Sequence, residues 1–463
     1  ANAGLTITAT GGTVIATAAT GIPNLEYHIL GSSTNGSLTM TTDTPVNLVL
    51  NNMTLTNPSG AAFSLSTTQT ATIYLTPGTT NTLSDGATST KNGTITTNGA
   101  IIINGTGTLN ITGVIKHGIN VGTTLTIESG TTNITSAATD GFHSEGYTMT
   151  GGTVTINSLG DGIDAGNGAI AISGGTINIT STTADVKAIK TGTNTITITG
   201  GTFNITVSGA QSKGISASGG NVTIDNGTFN MTISGAAVLV ASGTGFNPSY
   251  CTAIKSGGTL TINGGTFTIQ ATSSANGGKG FSANTDITIN AGNITVSTAG
   301  GGANFTNSTG VADSYSTSSF SSDTNMLING GTLNLTNSGA DGKAISVNGN
   351  VTVANSTIVN ITNSGASGKG IKADSNITFS GGTTTANLSG ATVLTASGSG
   401  NNTSYPSAVK ATGTITVNGG AITIQGTSAA TGAKGFSSTG AITINSGNVT
   451  INLAGNGAVY TNT

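Results

Sequence analysis

The chain has 463 residues, of which only 6% are charged, and 12 cations, all of them lysine, against 15 acidic residues leave a formal charge of −3. That balance excludes a basic stripe for nucleic acid and an acidic interaction tail, and no apolar run approaches the roughly 20 residues that a membrane-spanning helix needs. Gly, Thr, Ser and Asn dominate, yet Ile, Val and Leu recur at alternate positions instead of being diluted, so the chain reads as folded.

The first residues, ANAGLTIT, hold neither an initiator Met nor an apolar h-region. This suits the mature product of signal-peptide cleavage and predicts an extracellular or cell-surface location. Residues 1–100 read as less regular β-coils. Gly4–Thr20 is strand-like and suited to exchange between subunits, while Asn47–Leu55 and Ala71–Leu75 alternate apolar with polar residues.

From 101 to 463 a regular repeat takes over. Gly130, Gly152, Gly175 and Gly201 mark successive units of roughly 22 to 27 residues, and three later units carry an insertion of about a dozen. Within Ile172–Gly201, the segments Thr176–Thr180, Val186–Lys190 and Thr195–Thr199 each alternate, which predicts three strands on three sides of one coil. Gly174–Gly175 and Gly200–Gly201 supply the positive φ of sharp corners. Coils of one length must stack, so the expected fold is all-β: a parallel β-helix with three short strands per coil and about 16 coils, on the order of 75–80 Å long. The helix is taken as right-handed, the usual sense of parallel connections.

A longer period lies over the first. Gly201, Gly227, Gly265 and Gly292 have counterparts 155 residues later at Ser356, Gly382, Gly420 and Gly447, and Ser234–Gln270 reads onto Ser389–Gln425. Coils 175–300 are therefore duplicated as 331–455, insertions included. Cys251, the single cysteine, is replaced by Pro406 in the second copy, which marks it as a buried or inert thiol. The last residues, Asn456–Thr463, lie part-way through a coil, and no polar cap is legible at either tip. Low charge leaves such edges undefended, so end-to-end stacking into a filament is expected.

In order along the chain, Asn47–Phe63, Gly78–Ala87, Gly105–Ile119, Asp161–Thr176 and Pro248–Thr266 resemble the secreted bacterial carbohydrate-binding β-helix family. The resemblance runs from about Asn47 to the C-terminus. It implies a polysaccharide-lyase-like shape without catalysis, binding of plant-type or acidic glycans, and bound Ca²⁺.

Alignment on the short strand places Lys116, Asp140, Asp161, Lys187 and Lys213 in one column, followed by Lys279, Lys343, Lys369 and Lys434. Asp140 and Asp161 would then sit about 5 Å apart and repel. A bridging Ca²⁺, helped by Asp164 and Glu145, would relieve this, and Asp185 and Asp341 rank next as ligands; neutralisation by Lys116 and Lys187 is the alternative. Asp140, Asp161 and Lys187 also have the chemistry for a lyase or hydrolase set, but repeated Lys and Asp columns read as structural ion pairs, and a non-enzyme is expected. His117 and His143 read as structural or solvated, and Phe142, Phe281 and Phe436 as core. Tyr250 and Tyr405, with Asn247, Asn401 and Asn402, occupy equivalent places in two inserted loops and form the expected carbohydrate-binding set; the alternative is that the tyrosines pack their own loops. Asn-X-Thr triplets at Asn178 and Asn376 match glycosylation acceptors, and a stacked amide ladder explains them as well. The function expected is a non-enzymatic extracellular adhesin or filament subunit that binds polysaccharide, with a purely structural filament as the rival.

Overall fold

A computed structural model describes residues 4–459, and every regular element among them is a β-strand. The chain forms two compact units, one of residues 4–206 with Ile215–Gly220 and one of Val207–Gly214 with residues 221–459. Each is a parallel β-solenoid.

In the first unit, one coil is made of His117–Val121, Leu125–Ile127 and Thr131–Ala137. The next coil repeats these three sides as Phe142–His143, Tyr147–Met149 and Thr153–Asn157, each parallel to its predecessor. Alternation dictates which side chains enter: in Thr153–Asn157, Val154 and Ile156 are buried while Thr155 and Asn157 are exposed. Parallel register then piles like on like. Ile101, Leu125, Tyr147, Ile170 and Ile196 form one interior stack, and Ile103, Ile127, Met149, Ile172 and Ile198 the stack beside it. Each buried aliphatic contributes about 1.5–3 kcal/mol, so stability is spread along the stacks.

The predicted strands of the Ile172–Gly201 coil appear as Thr176–Ser181, Lys187–Thr191 and Ile196–Ile198. The corner glycines Gly175 and Gly201 have φ of 85° and 101°, which an L side chain rarely adopts. Outward asparagines form amide ladders: Asn204 donates to Asn178 at 2.8 Å, and Asn376 to Asn350 at 3.1 Å. Leu25–Ser33 and Val46–Asn57 are long strands, with a register shift at Leu30/Gly31 where they pair. Pairing nevertheless runs through residue 100, because Ile101–Gly105 lies parallel to both Ala71–Leu75 and Leu125–Ile127. Leu5–Thr10 departs from the parallel pattern and folds back antiparallel onto Gly12–Ala18. The expected break in the coil at the last residues involves Tyr460–Thr463, which lie outside the described residues.

In the second unit the three insertions are antiparallel hairpins, a form that their composition did not announce. They are Val238–Ser242 with Gly245–Ser249, Ala303–Thr306 with Ala312–Tyr315, and Val393–Ser397 with Gly400–Ser404. The first and third are separated by 155 residues strand for strand, as the duplication requires. Phe281 is fully buried, stacked at 4.7 Å on Phe320. Phe436, expected in the core, is only half-buried, because its strand Lys434–Ser438 belongs to the last described coil.

Candidate functional site

Two adjacent outward columns of the short strands carry most of the lysines. In the first unit, Ile119 pairs with Phe142, Phe142 with Ile163 and Ile163 with Ile189. That register sets His117, Asp140, Asp161 and Lys187 in one column, and His143, Asp164 and Lys190 in the other. Lys116, expected level with Asp140, is displaced by one residue in the preceding turn and donates instead to Asn92 at 2.9 Å. His117 takes its place.

The result is a continuous acid–imidazole–lysine cluster. Asp140 Oδ2 lies 3.2 Å from His117 Nδ1 and 3.4 Å from His143 Nδ1, and His143 Nδ1 lies 3.6 Å from Asp164 Oδ2. The two imidazoles stack at 4.6 Å. Lys190 Nζ is 3.0 Å from both Asp161 Oδ2 and Asp164 Oδ2. Burial opposes ionisation of Asp140, but His117 and His143 outweigh it and hold the carboxyl well below the usual range. The carboxylates of Asp140 and then Asp164 push His143 up to about 9. For Asp161 burial prevails and its carboxyl is raised, despite the Lys187 N–H at 2.7 Å and the Lys190 charge.

The expected calcium set is only partly brought together. Asp140, Asp161 and Asp164 converge, whereas Glu145 is exposed and accepts the Asn167 N–H at 3.4 Å. Asp185 pairs with Lys187 at 3.0 Å. Asp341, in the second unit, accepts the Ser367 hydroxyl and stands among lysines whose charge opposes a cation. Calcium takes about six to eight oxygens. Here one carboxylate is flanked by two nitrogens and the other two share a lysine, so the donor set does not fit that ion.

Lysines dominate the second unit. Lys343 and Lys369 adjoin in the first column, and Lys372 and Lys410 in the second. With Asp341, Ala303, Tyr315 and Ser404 they line a cleft of about 360 Å³ beside two of the hairpins. Lys343 donates to Ser316 Oγ and to the Asp341 carbonyl, and Lys369 to the Ser367 carbonyl. Asp341 and Ser367 have φ of 54° and 51°, so each lysine caps the carbonyl of a left-handed turn two residues before it. Burial, then the neighbouring positive charge of Lys372, lowers Lys343 to about 8; burial, then Lys410, lowers Lys369 to about 8. Lys372 is partly neutralised by Asp374 at 2.7 Å.

The two loop tyrosines do not present open faces. Lys279 Nζ sits 3.7 Å from the Tyr250 ring centroid, and Lys434 Nζ 4.2 Å from that of Tyr405. Tyr315 meets Tyr250 edge-on at 6.0 Å, so packing of the loop onto the coil describes Tyr250 better than a platform does. Asn247 and Asn402 remain exposed on their hairpins, and Asn401 is half-buried. A ring that sequence reasoning passed over is more open: Tyr74, 39% exposed, stands with Asn47, Thr72 and Asn104 on a sheet face of the first unit. Cys251 is buried, and burial pushes its thiol up to about 11.

A family model described as carbohydrate-binding domain-containing protein matches residues 6–248 and 239–365. No curated protein matches the chain. Among solved structures, the polysaccharide lyase-like protein from C. thermocellum, in a gadolinium derivative, is similar at a TM-score of 0.39 and 24% identity, over 50% of this chain and 90% of that one.

Proposed function

The chain belongs to the carbohydrate-binding domain-containing family, and from that premise we propose that it is an extracellular, non-catalytic solenoid that binds anionic polysaccharide through the lysine cleft of its second unit. The observation that carries this reading is the convergence of Lys343, Lys369, Lys372 and Lys410 in one cleft, four lysines against the carboxylates of Asp341 and Asp374. Carboxylate or sulfate groups of a glycan neutralise these charges, and hairpin hydroxyls and amides from Asn304, Ser314 and Ser404 hydrogen-bond the sugar. Absence of catalysis is part of the reading, because Asp140, Asp161 and Asp164 are engaged by His and Lys rather than free to act as an acid and a base.

Affinity electrophoresis in gels containing polygalacturonate, a sulfated glycan or a neutral glucan tests it. Retardation by the anionic gels, weakened by salt and lost in Lys369→Gln/Lys410→Gln, is the expected result. Equal retardation by the neutral glucan, or retardation that survives the double substitution, would refute the assignment of the cleft. Release of reducing or unsaturated ends would refute the non-catalytic part.

A further inference from the structure

We infer that His117, Asp140 and His143 form a binding site for a divalent cation of the zinc class, set across adjacent coils of the first unit, with water in the fourth position. The ligand atoms of the first three all lie within 4.8 Å of one another. A tetrahedral ion bound at about 2.0–2.1 Å requires ligand–ligand separations of about 3.3 Å. Two of the edges among these three ligands are 3.2 and 3.4 Å, and the imidazoles, stacked at 4.6 Å, turn so that both ring planes meet the ion.

The donor chemistry selects the ion. Two imidazole nitrogens with carboxylate oxygen suit Zn²⁺, Ni²⁺ or Cu²⁺, whereas Ca²⁺ and Mg²⁺ take oxygen alone. Charge agrees: Asp140, Asp161 and Asp164 stand with a single lysine, Lys190, which faces the last two, and a 2+ ion that displaces the His143 proton balances the cluster. His143 Nδ1 is buried, and its contacts with Asp140 and Asp164, at 3.4 and 3.6 Å, fall outside hydrogen-bond geometry. Thr139 competes for the site, since its hydroxyl lies 2.9 Å from His117 Nδ1, and it would turn away on binding. The backbone is already fixed by parallel pairing on both sides of Phe142–His143, so the ion closes a site that the register assembles. It would clip together coils that are otherwise joined by strand pairing and packing.

The test uses the full chain, stripped of metal and titrated calorimetrically with Zn²⁺ and separately with Ca²⁺. One Zn²⁺ per chain is expected, Ca²⁺ failing to compete, with affinity reduced at least about 100-fold in His117→Gln and in His143→Gln. Because either variant could perturb the coil, Co²⁺ is added to the unaltered chain as an independent probe. Intense visible absorption of tetrahedral Co²⁺ supports the site; the weak spectrum of an octahedral ion overturns it. Absence of Zn²⁺ binding, undiminished binding in both variants, or equal occupancy by Ca²⁺ would likewise overturn it.

Discussion

Lys190 holds two carboxylates at once, and its position three residues after Lys187 explains why. Residues three apart on this strand sit on neighbouring outward columns, so Lys190 reaches Asp161 and Asp164 while Lys187 turns to its own loop and pairs with Asp185. In metal-free protein, Lys190→Gln leaves two partly buried carboxylates facing each other and should cost about 3 kcal/mol. Lys187→Gln loses a pair whose acid is largely exposed and should cost under about 1 kcal/mol. Urea unfolding of the two variants side by side checks the contrast. In the core, Phe281 stacks on Phe320 and meets Phe267 edge-on at 5.5 Å. Phe281→Ala should therefore cost about 3–5 kcal/mol, read as a lower denaturation midpoint with an unchanged slope.

At the scale of the element, a recurring Ser-Gly-Ala governs how closely coils approach. Gly235, Gly339, Gly365 and Gly390 each sit against the backbone of the coil before, and a Cβ at any of them would come within 1.8–1.9 Å of the carbonyl of Gly209, Gly300, Gly339 or Gly365. This is a requirement for close approach, distinct from the positive φ of Gly175. Gly365→Ala must push two coils apart locally and should cost about 1–3 kcal/mol or more, with faster amide exchange in Lys369–Ala373 as a spatially resolved check. Antiparallel hairpins obey a different rule. They leave the stack, so their sequence is free of the coil's alternation, and the first two touch each other: the Thr244 N–H donates to the Ser308 carbonyl at 3.0 Å.

For the whole molecule, charge is sparse enough that a few groups set its pH response. Lys343 and Lys369 are lowered to about 8 by burial first and by like charge second. Their folded values lie below the unfolded lysine value, so between about pH 8 and 10.5 the unfolded chain binds more protons and stability rises with pH. Over the same interval the cleft loses charge. The two lysines should therefore raise thermal stability above pH 8, opposed from about pH 9 by the Cys251 thiol raised to about 11, while retention by anionic glycan falls, and measuring both across this range separates them from a general alkaline loss of structure.

The parallel solenoid, its three strands per coil, the interior Ile and Phe stacks, the asparagine ladders and the duplication were legible in the order of residues, because period-2 alternation and a near-constant coil length are local properties. Even the Lys279–Tyr250 and Lys434–Tyr405 contacts repeat at the duplication interval. What required the tertiary structure was everything set by register across a turn. A one-residue offset put His117 rather than Lys116 beside Asp140, brought His143 and Lys190 into the acidic cluster, and gathered lysines from separate coils into one cleft. Which outward side chains become neighbours depends on how each irregular corner is threaded, and side-chain periodicity along a strand carries no record of that.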